Sequence, residues 1–318
     1  MIGFDIGGTK CAVSIGEVRD GTLCILQKKK IPTDLSVSPY EMIDRLCALA
    51  EEMTDDFSAI GISCGGPLDA ARGVILSPPN LPGWDEVQIV SYLQKRYGGA
   101  VCMENDANAC AVAEWRFGAA RGAANAIFLT FGTGLGAGLI LDGKLYRGSC
   151  GNAGEVGHVR LAKGGPVGYG KAGSFEGFCS GGGIAQLARA TAQRAIKAGA
   201  PLPWCKSEAE LPLLNAAILA NAARAGDAAA LKIWRTAARR LGQGLSLLVD
   251  ILNPEKIVIG SIYLRAEDLL RDEMLRVMKR ECLFDSLQTV TVVGAGLGEA
   301  LGDYAALSLA AELKGGTV

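Results

Sequence analysis

The sequence contains no pair of cysteines at CxxC spacing, no excess of basic residues and no apolar run long enough to span a bilayer. Each shortage removes a class of protein. The ten cysteines are scattered and mostly flanked by apolar residues, so free buried thiols are expected and a cysteine-only metal site is not. Lys+Arg 32 against Asp+Glu 33 leaves a net charge of −1, whereas a protein that neutralises nucleic-acid phosphates carries a basic surplus or patch. Nucleic acid is therefore not an expected partner. The most apolar stretch, residues 245–254, includes Asp250 and falls short of the roughly 20 residues a membrane helix needs. Met1 leads straight into a strand-like segment, without the basic and apolar regions of a secretory leader, so a soluble cytoplasmic protein is expected.

Two nucleotide signatures are also missing. Gly7-Gly8-Thr9-Lys10 does not supply the GxxxxGK[ST] spacing of a P-loop. The glycines at 132, 134, 136 and 138 alternate and run on into a strand, so they are not the GxGxxG of a dinucleotide fold. A dehydrogenase is not expected.

What the chain does have is glycine, 43 residues of 318, about twice the usual share. There is no Gly-X-Y period, and 49% of residues are hydrophobic, which excludes collagen-like and disordered chains. The length exceeds what one core usually serves, so two lobes are expected. In the first half short strands alternate with helices. Residues 39–54 place Met42, Ile43, Leu46, Ala50 and Met53 on one helical face behind Ser38 and Pro39. Asp85 reads as the cap of a helix that holds Val87, Val90, Leu93 and Tyr97 and stops at Gly98. A strand at 101–105 runs into a helix from Asp106.

The opening strand–glycine-turn–strand pattern recurs at 126–141. Helices are expected at 182–199, 210–225, 227–253, 266–281 and 298–313, with strands at 256–260 and 289–295. Two such hairpins, each opening a half, suggest a duplicated α/β unit with a cleft between its lobes. A glycine turn lets the backbone approach a phosphate closely, and its amides form an anion-binding concavity. Thr9, Thr130 and Thr133 add hydroxyls there, and Asp5, closing the first strand, suits a Mg²⁺ held through water.

DIGGTK at 5–10, SCGGP at 63–67, NLPGW at 80–84, ENDANA at 104–109, FGTGLGAG at 131–138 and GEVGH at 154–158 together resemble the ROK family of repressors and sugar kinases. The resemblance implies an α/β, two-lobed ribonuclease H-like fold of the actin and hexokinase type, with ATP and a sugar in the cleft. The lobes expected are 1–117 plus 303–318, the smaller, and 118–302, the larger. ROK repressors carry an added N-terminal helix-turn-helix domain, and a chain opening on the first phosphate motif resembles the kinase branch. The family places its catalytic base at Asp106. Its sugar contacts map onto Gly66, Asn80, Asn105, Glu155, His158 and Glu176. The nucleotide contacts are expected at Gly7, Gly8, Thr9, Lys10, Gly132, Thr133, Gly134, Gly260 and Ser261, with Asp5 for Mg²⁺. These imply ATP-dependent phosphorylation of a hexose or N-acetylhexosamine, as in glucokinases and N-acetylmannosamine kinases, by a homodimer. A non-catalytic sugar sensor of the same fold is the alternative.

The chain departs from the family twice. Many members follow the GH histidine with CxCGxxGCxE, three cysteines that join it around a structural zinc. Here Val167, Tyr169 and Ser174 stand in those places, leaving His158, the single histidine, without thiolate partners. Zinc is not expected, and Tyr169, Phe175 and Phe178 are the expected anchors of 160–180. At 257–263 the chain reads IVIGSIY where relatives often read IxxGGG, so Ser261 and the bulkier Ile262 replace glycines near the nucleotide.

Overall fold

The computed structural model describes residues 1–315 and divides into two compact units. The first comprises Met1–Phe128, Gly138–Ala153 and the chain from Ala295 onward; the second comprises Leu129–Ala137 and Gly154–Gly294. The chain thus changes unit at other positions than 117/118 and 302/303. The reason is local: Gly138 lies so close to the helix at 106–117 that a β-carbon there would sit 2.5 Å from the Ala111 methyl, which ties 138–153 to the first unit.

The first unit is built on a five-stranded sheet. In spatial order its strands are β3 (Thr22–Pro32), β2 (Lys10–Arg19), β1 (Ile2–Ile6), β4 (Ala59–Cys64) and β5 (Ala100–Asn105). The β1–β2–β3 meander is antiparallel, whereas β1, β4 and β5 run parallel. Parallel strands need both faces covered, and β4 is buried at all six positions. One face carries α1 (Pro39–Glu51), which starts where Ser38 accepts a hydrogen bond from the Glu41 amide and buries Met42, Ile43, Leu46, Cys47 and Ala50. Met53, expected on that face, lies past the helix end in the turn that closes onto Ala50. The C-terminal helix Leu301–Leu313 lies so close to the strands that a β-carbon at Gly61 would stand 2.1 Å from the Ala306 carbonyl oxygen.

Two more helices complete this unit: α2 (Ile89–Tyr97) and α3 (Asp106–Phe117). The expected Asp85 cap of α2 is not made. Asp85 instead accepts from the Ser77 hydroxyl, and α2 begins four residues later behind Gln88, which gives no side-chain cap. Its end is as expected, at Gly98 with φ 71°.

The second sheet orders β8 (Lys144–Tyr146), β7 (Leu135–Leu141), β6 (Ala126–Phe131), β9 (Lys256–Ser261) and β10 (Thr291–Gly294). The unit boundary runs through β6 and β7 themselves. The helices of the second unit include α4 (Gly181–Lys197), α5 (Ala228–Leu252) and α6 (Ile262–Glu281). Helix α5 starts where Asp227 accepts from the Ala230 amide at 2.8 Å and ends at Asn253, whose left-handed φ of 44° precedes Pro254. The helix expected at 210–225 is split: Pro212 sits in a 3₁₀ segment, Glu208–Leu213, and the α-helix begins only at Ala216 behind the Asn215 cap.

Residues 160–180 are ordered by packing and hydrogen bonds. Phe175 and Phe178 are buried, Arg240 lies over the Phe178 ring, and Gln186 both donates to and accepts from the Val167 backbone. Tyr169 is not an anchor. It is 77% exposed at φ 43°, with its ring centre 5.9 Å from that of His158 and the two rings steeply inclined at 74°. Among the described residues all ten cysteines are free, but only Cys11, Cys47, Cys64, Cys179 and Cys205 are buried; Cys24, Cys102, Cys110 and Cys282 are half-buried and Cys150 is exposed. No helix of the described residues is long and apolar enough to cross a membrane.

Candidate active site

The expected site residues fall into two groups, one in each unit. In the first unit they collect at the C-terminal ends of the parallel strands, where open α/β sheets bind ligands. The register aligns Asp5 with Ser63 and Ser63 with Glu104, so the loops leaving β1, β4 and β5 emerge side by side. After β1, the Gly7–Lys10 turn closes with the Gly7 amide donating to the Lys10 carbonyl at 3.2 Å. Thr33 of β3's exit fixes that turn from behind. Its hydroxyl donates to the Gly7 carbonyl at 2.6 Å, and its amide to the Thr9 carbonyl at 3.0 Å. Thr9 and Lys10 are left exposed. Asp5 is half-buried at the base of the turn. Desolvation pushes its carboxyl above the usual carboxylate range, against the pull of Lys28, Lys10 and Lys30.

The sugar-loop residues of this unit meet the same turn. A β-carbon at Gly8 would stand 2.3 Å from the Asn80 carbonyl oxygen, so the two loops touch main chain to main chain. Asn80 itself is exposed, and its loop is held by the buried side chains of Leu81 and Trp84. Gly66, followed by a cis bond to Pro67, faces the Asn105 side chain; a β-carbon there would lie 3.3 Å from Nδ2. Asn105 caps α3, its Oδ1 accepting from the Ala107 amide at 3.0 Å. Asp106 opens the helix, and its Oδ1 accepts from the same amide at 2.8 Å. The Asp106 residue is exposed, so a carboxylate stands in solvent reach at the positive end of a helix rather than sealed in the core.

Sequence reasoning passed over the group beneath this pair. Glu104 is 2% exposed, with Oε1 accepting from the Asn105 amide and from Asn108 Nδ2, both at 3.0 Å, and Oε2 accepting from Arg147 Nε at 2.6 Å. Glu104 lies within the ENDANA motif, but nothing local points to Arg147, 43 residues away. Nor does any local pattern mark Glu114, a fully buried carboxylate near the end of α3. It accepts from the backbone amides of Ala119, Gly296 and Leu297 at 2.7, 3.0 and 2.9 Å.

In the second unit the Gly132–Gly134 turn closes with the Gly132 amide donating to the Gly134 carbonyl. The start of α4 backs it, through Gly181 N–H to the Gly132 carbonyl at 2.8 Å and Gly182 N–H to the Thr133 carbonyl at 3.4 Å. Glu176 Oε2 accepts from the Leu135 amide at 3.0 Å, and a β-carbon at Gly134 would lie 2.7 Å from it. This carboxylate therefore braces the phosphate-type turn. Gly260 is the penultimate residue of β9, and Ser261, the last, turns the chain into α6 at φ 60°, ψ −117°, a conformation that favours glycine. Ile262 turns its side chain toward Gly181, whose β-carbon would lie 3.1 Å from the Ile262 methyl. In GEVGH the chain makes a 3₁₀ turn, Val156–His158, that buries Val156 and Gly157 and leaves Glu155 and His158 exposed. The His158 carbonyl accepts from Lys171 Nζ.

Among the described residues no three His, Cys, Asp or Glu side chains stand together as a structural zinc site would require. The residues around His158, with Tyr169 at its ring and Lys171 at its carbonyl, do not fit zinc. The half-buried carboxylate of Asp5 at the base of a glycine turn offers the hard oxygen donor that a Mg²⁺ would take.

The sequence profile of the ROK family matches residues 1–312. The chain belongs to the ROK family. A glucokinase of Streptomyces coelicolor is 32% identical over 315 residues, which cover 98% of this chain and 97% of that enzyme. Among solved structures, a ROK hexokinase from Thermus thermophilus superposes with a TM-score of 0.80 at 32% identity, covering 99% of both chains. A ROK family glucokinase from Streptomyces griseus, solved with glucose and AMPPNP, gives a TM-score of 0.77 at 32% identity over 98% of this chain and 99% of that one. The ROK protein described here thus has the actin- and hexokinase-type ATPase fold, with a strand–glycine-turn–strand hairpin at residues 2–19 and another at 126–141.

Proposed function

We propose that this ROK protein is an ATP-dependent hexose kinase, with Asp106 as the base that takes the acceptor hydroxyl's proton. The observation that carries the reading is the β5–α3 junction. It presents an exposed Asp106 and a capping Asn105 on the same strand ends as the Gly7–Lys10 turn. Phosphoryl transfer needs in-line positioning, charge neutralisation and a proton acceptor, and little else. The Gly7–Lys10 and Gly132–Gly134 turns, with the Thr9 and Thr133 hydroxyls, Lys10, Gly260 and Ser261, would receive the nucleotide, and Asp5 its Mg²⁺ through water. The acceptor oxygen attacks the terminal phosphorus, the bond to ADP breaks, and the hydroxyl proton passes to Asp106.

Gly66, Asn80, Asn105, Glu155, His158 and Glu176 would hold the sugar. Their carboxylates and amides suit paired hydroxyls of a neutral polyol, and the absence of a basic cluster among them disfavours an anionic acceptor. Glucose is the first acceptor in this reading, supported by the glucokinases that share about a third of the sequence; N-acetylmannosamine is the second to try. The working form in this reading is a cytoplasmic homodimer, checked by sedimentation at assay concentration.

A coupled ADP-release assay across hexoses and N-acetylhexosamines tests the assignment. Asp106→Asn is expected to keep sugar binding while turnover falls about 10²- to 10⁴-fold, the usual worth of a positioned base. Turnover within about tenfold of the parent would remove Asp106 from this role. Sugar binding with no ADP release by the parent would make the protein a sensor.

A further inference from the structure

We infer that Arg147 is a positioning residue for the base: acting through buried Glu104, it fixes the strand-to-helix junction that presents Asn105 and Asp106. The inference rests on the proposed role of Asp106. Glu104 is the last core position of β5, and burial leaves its carboxylate three donors. Two of them are parts of the site's own segment, the Asn105 amide and the Asn108 side chain. The third, Arg147 Nε at 2.6 Å, is the one cation paired with it among the described residues.

The Arg147 side chain is half exposed and the carboxylate 2%, so the guanidinium acts as the lid of a buried charge rather than as one arm of a surface pair. Its backbone is held as well: the Arg147 carbonyl accepts from the Ala153 amide at 3.1 Å, closing the 147–153 loop. Asn108 is 3% exposed, and its Oδ1 has no hydrogen-bond partner, so its Nδ2 bond to Glu104 is what orients that amide. Without Arg147 the carboxylate is left buried with two neutral donors. It can recover a water-exposed position only by drawing the Asn105 amide, and with it Asp106, out of place. A displacement of about 1 Å in a reacting group costs on the order of 10²-fold in rate.

The test uses the full chain with ATP and glucose, or the best acceptor from the panel, and compares four variants. Arg147→Met is expected to lower kcat about 10- to 100-fold while KM for ATP stays within about threefold, because the ATP turn is not attached to Glu104. Arg147→Lys, which keeps a cation within reach, is expected to recover most of the loss. Glu104→Gln combined with Arg147→Met is expected to recover kcat to within about threefold of the parent, since a neutral amide still accepts from Asn105 and needs no cation. A kcat loss at unchanged KM for ATP, in variants that thermal unfolding shows to be folded at the assay temperature, is the signature that a general loss of stability would not give. Arg147→Met at parental kcat overturns the inference, as does a double variant no better than the single one. Asp106→Asn, run in the same series, tests the base itself, so failure of that reading is seen separately.

Discussion

Replacing Gly8 by alanine probes whether the phosphate turn and the sugar loop act as one piece. The new methyl would lie 2.3 Å from the Asn80 carbonyl oxygen and 2.7 Å from its β-carbon, so one segment must retreat by about 1 Å to restore van der Waals contact. Neither is free to do so cheaply. The turn is held by two Thr33 hydrogen bonds, of 2.6 and 3.0 Å, and the loop by Leu81 and Trp84, exposed by 0% and 2%. Overpacking a fixed contact costs about 1–3 kcal/mol, and a shift of that size at a reacting group costs up to about 10²-fold in rate. We therefore expect Gly8→Ala to reduce kcat/KM by roughly 10- to 100-fold for both substrates, with KM raised for the sugar as well as for ATP. Steady-state kinetics with each substrate varied provides the assay. Gly164→Ala serves as control, since a β-carbon there meets nothing within 4 Å. A sugar KM equal to the parent's would show that the two loops are independent and would refute the argument.

Three further outcomes are expected. Ser261→Gly removes the strain of φ 60°, ψ −117°, worth about 1–3 kcal/mol, and adds chain entropy worth up to about 1 kcal/mol. The net expectation is a gain of about 1 kcal/mol in urea unfolding, and a variant less stable than the parent would contradict it. Glu114→Ala strips three backbone amides of their acceptor and should cost about 3 kcal/mol or more by the same measurement, whereas a loss under about 1 kcal/mol would deny Glu114 its role as a clasp. Elemental analysis of purified, untagged protein should find no stoichiometric zinc; one zinc per chain would show that a ligand set other than the family's holds the metal.

Much of the local geometry at the candidate site could be read from one sequence because its parts are local. A glycine turn between strands, an Asn–Asp pair where a strand passes into a helix, and Ser38 before Pro39 each specify their geometry within a few residues, and each is found there. Local signals also misled where two local choices competed. Asp85 had the composition of a cap but found the Ser77 hydroxyl first, Pro212 broke an apolar run into a 3₁₀ segment, and Tyr169 looked like a core aromatic yet points to solvent beside His158.

What only the tertiary structure decided are the contacts between segments far apart in the chain: Gly8 against Asn80, Arg147 over Glu104, the Glu114 clasp on Gly296 and Leu297, and Glu176 bracing Leu135. The same holds for the role of Gly61, which is a strand residue with no local need for glycine until the helix Leu301–Leu313 is laid on it. Periodicity and turn chemistry act over a few residues and so fix which elements form. Burial acts only once the sheet has stacked its strands, and it is burial that makes a carboxylate such as Glu104 depend on an arginine 43 residues away.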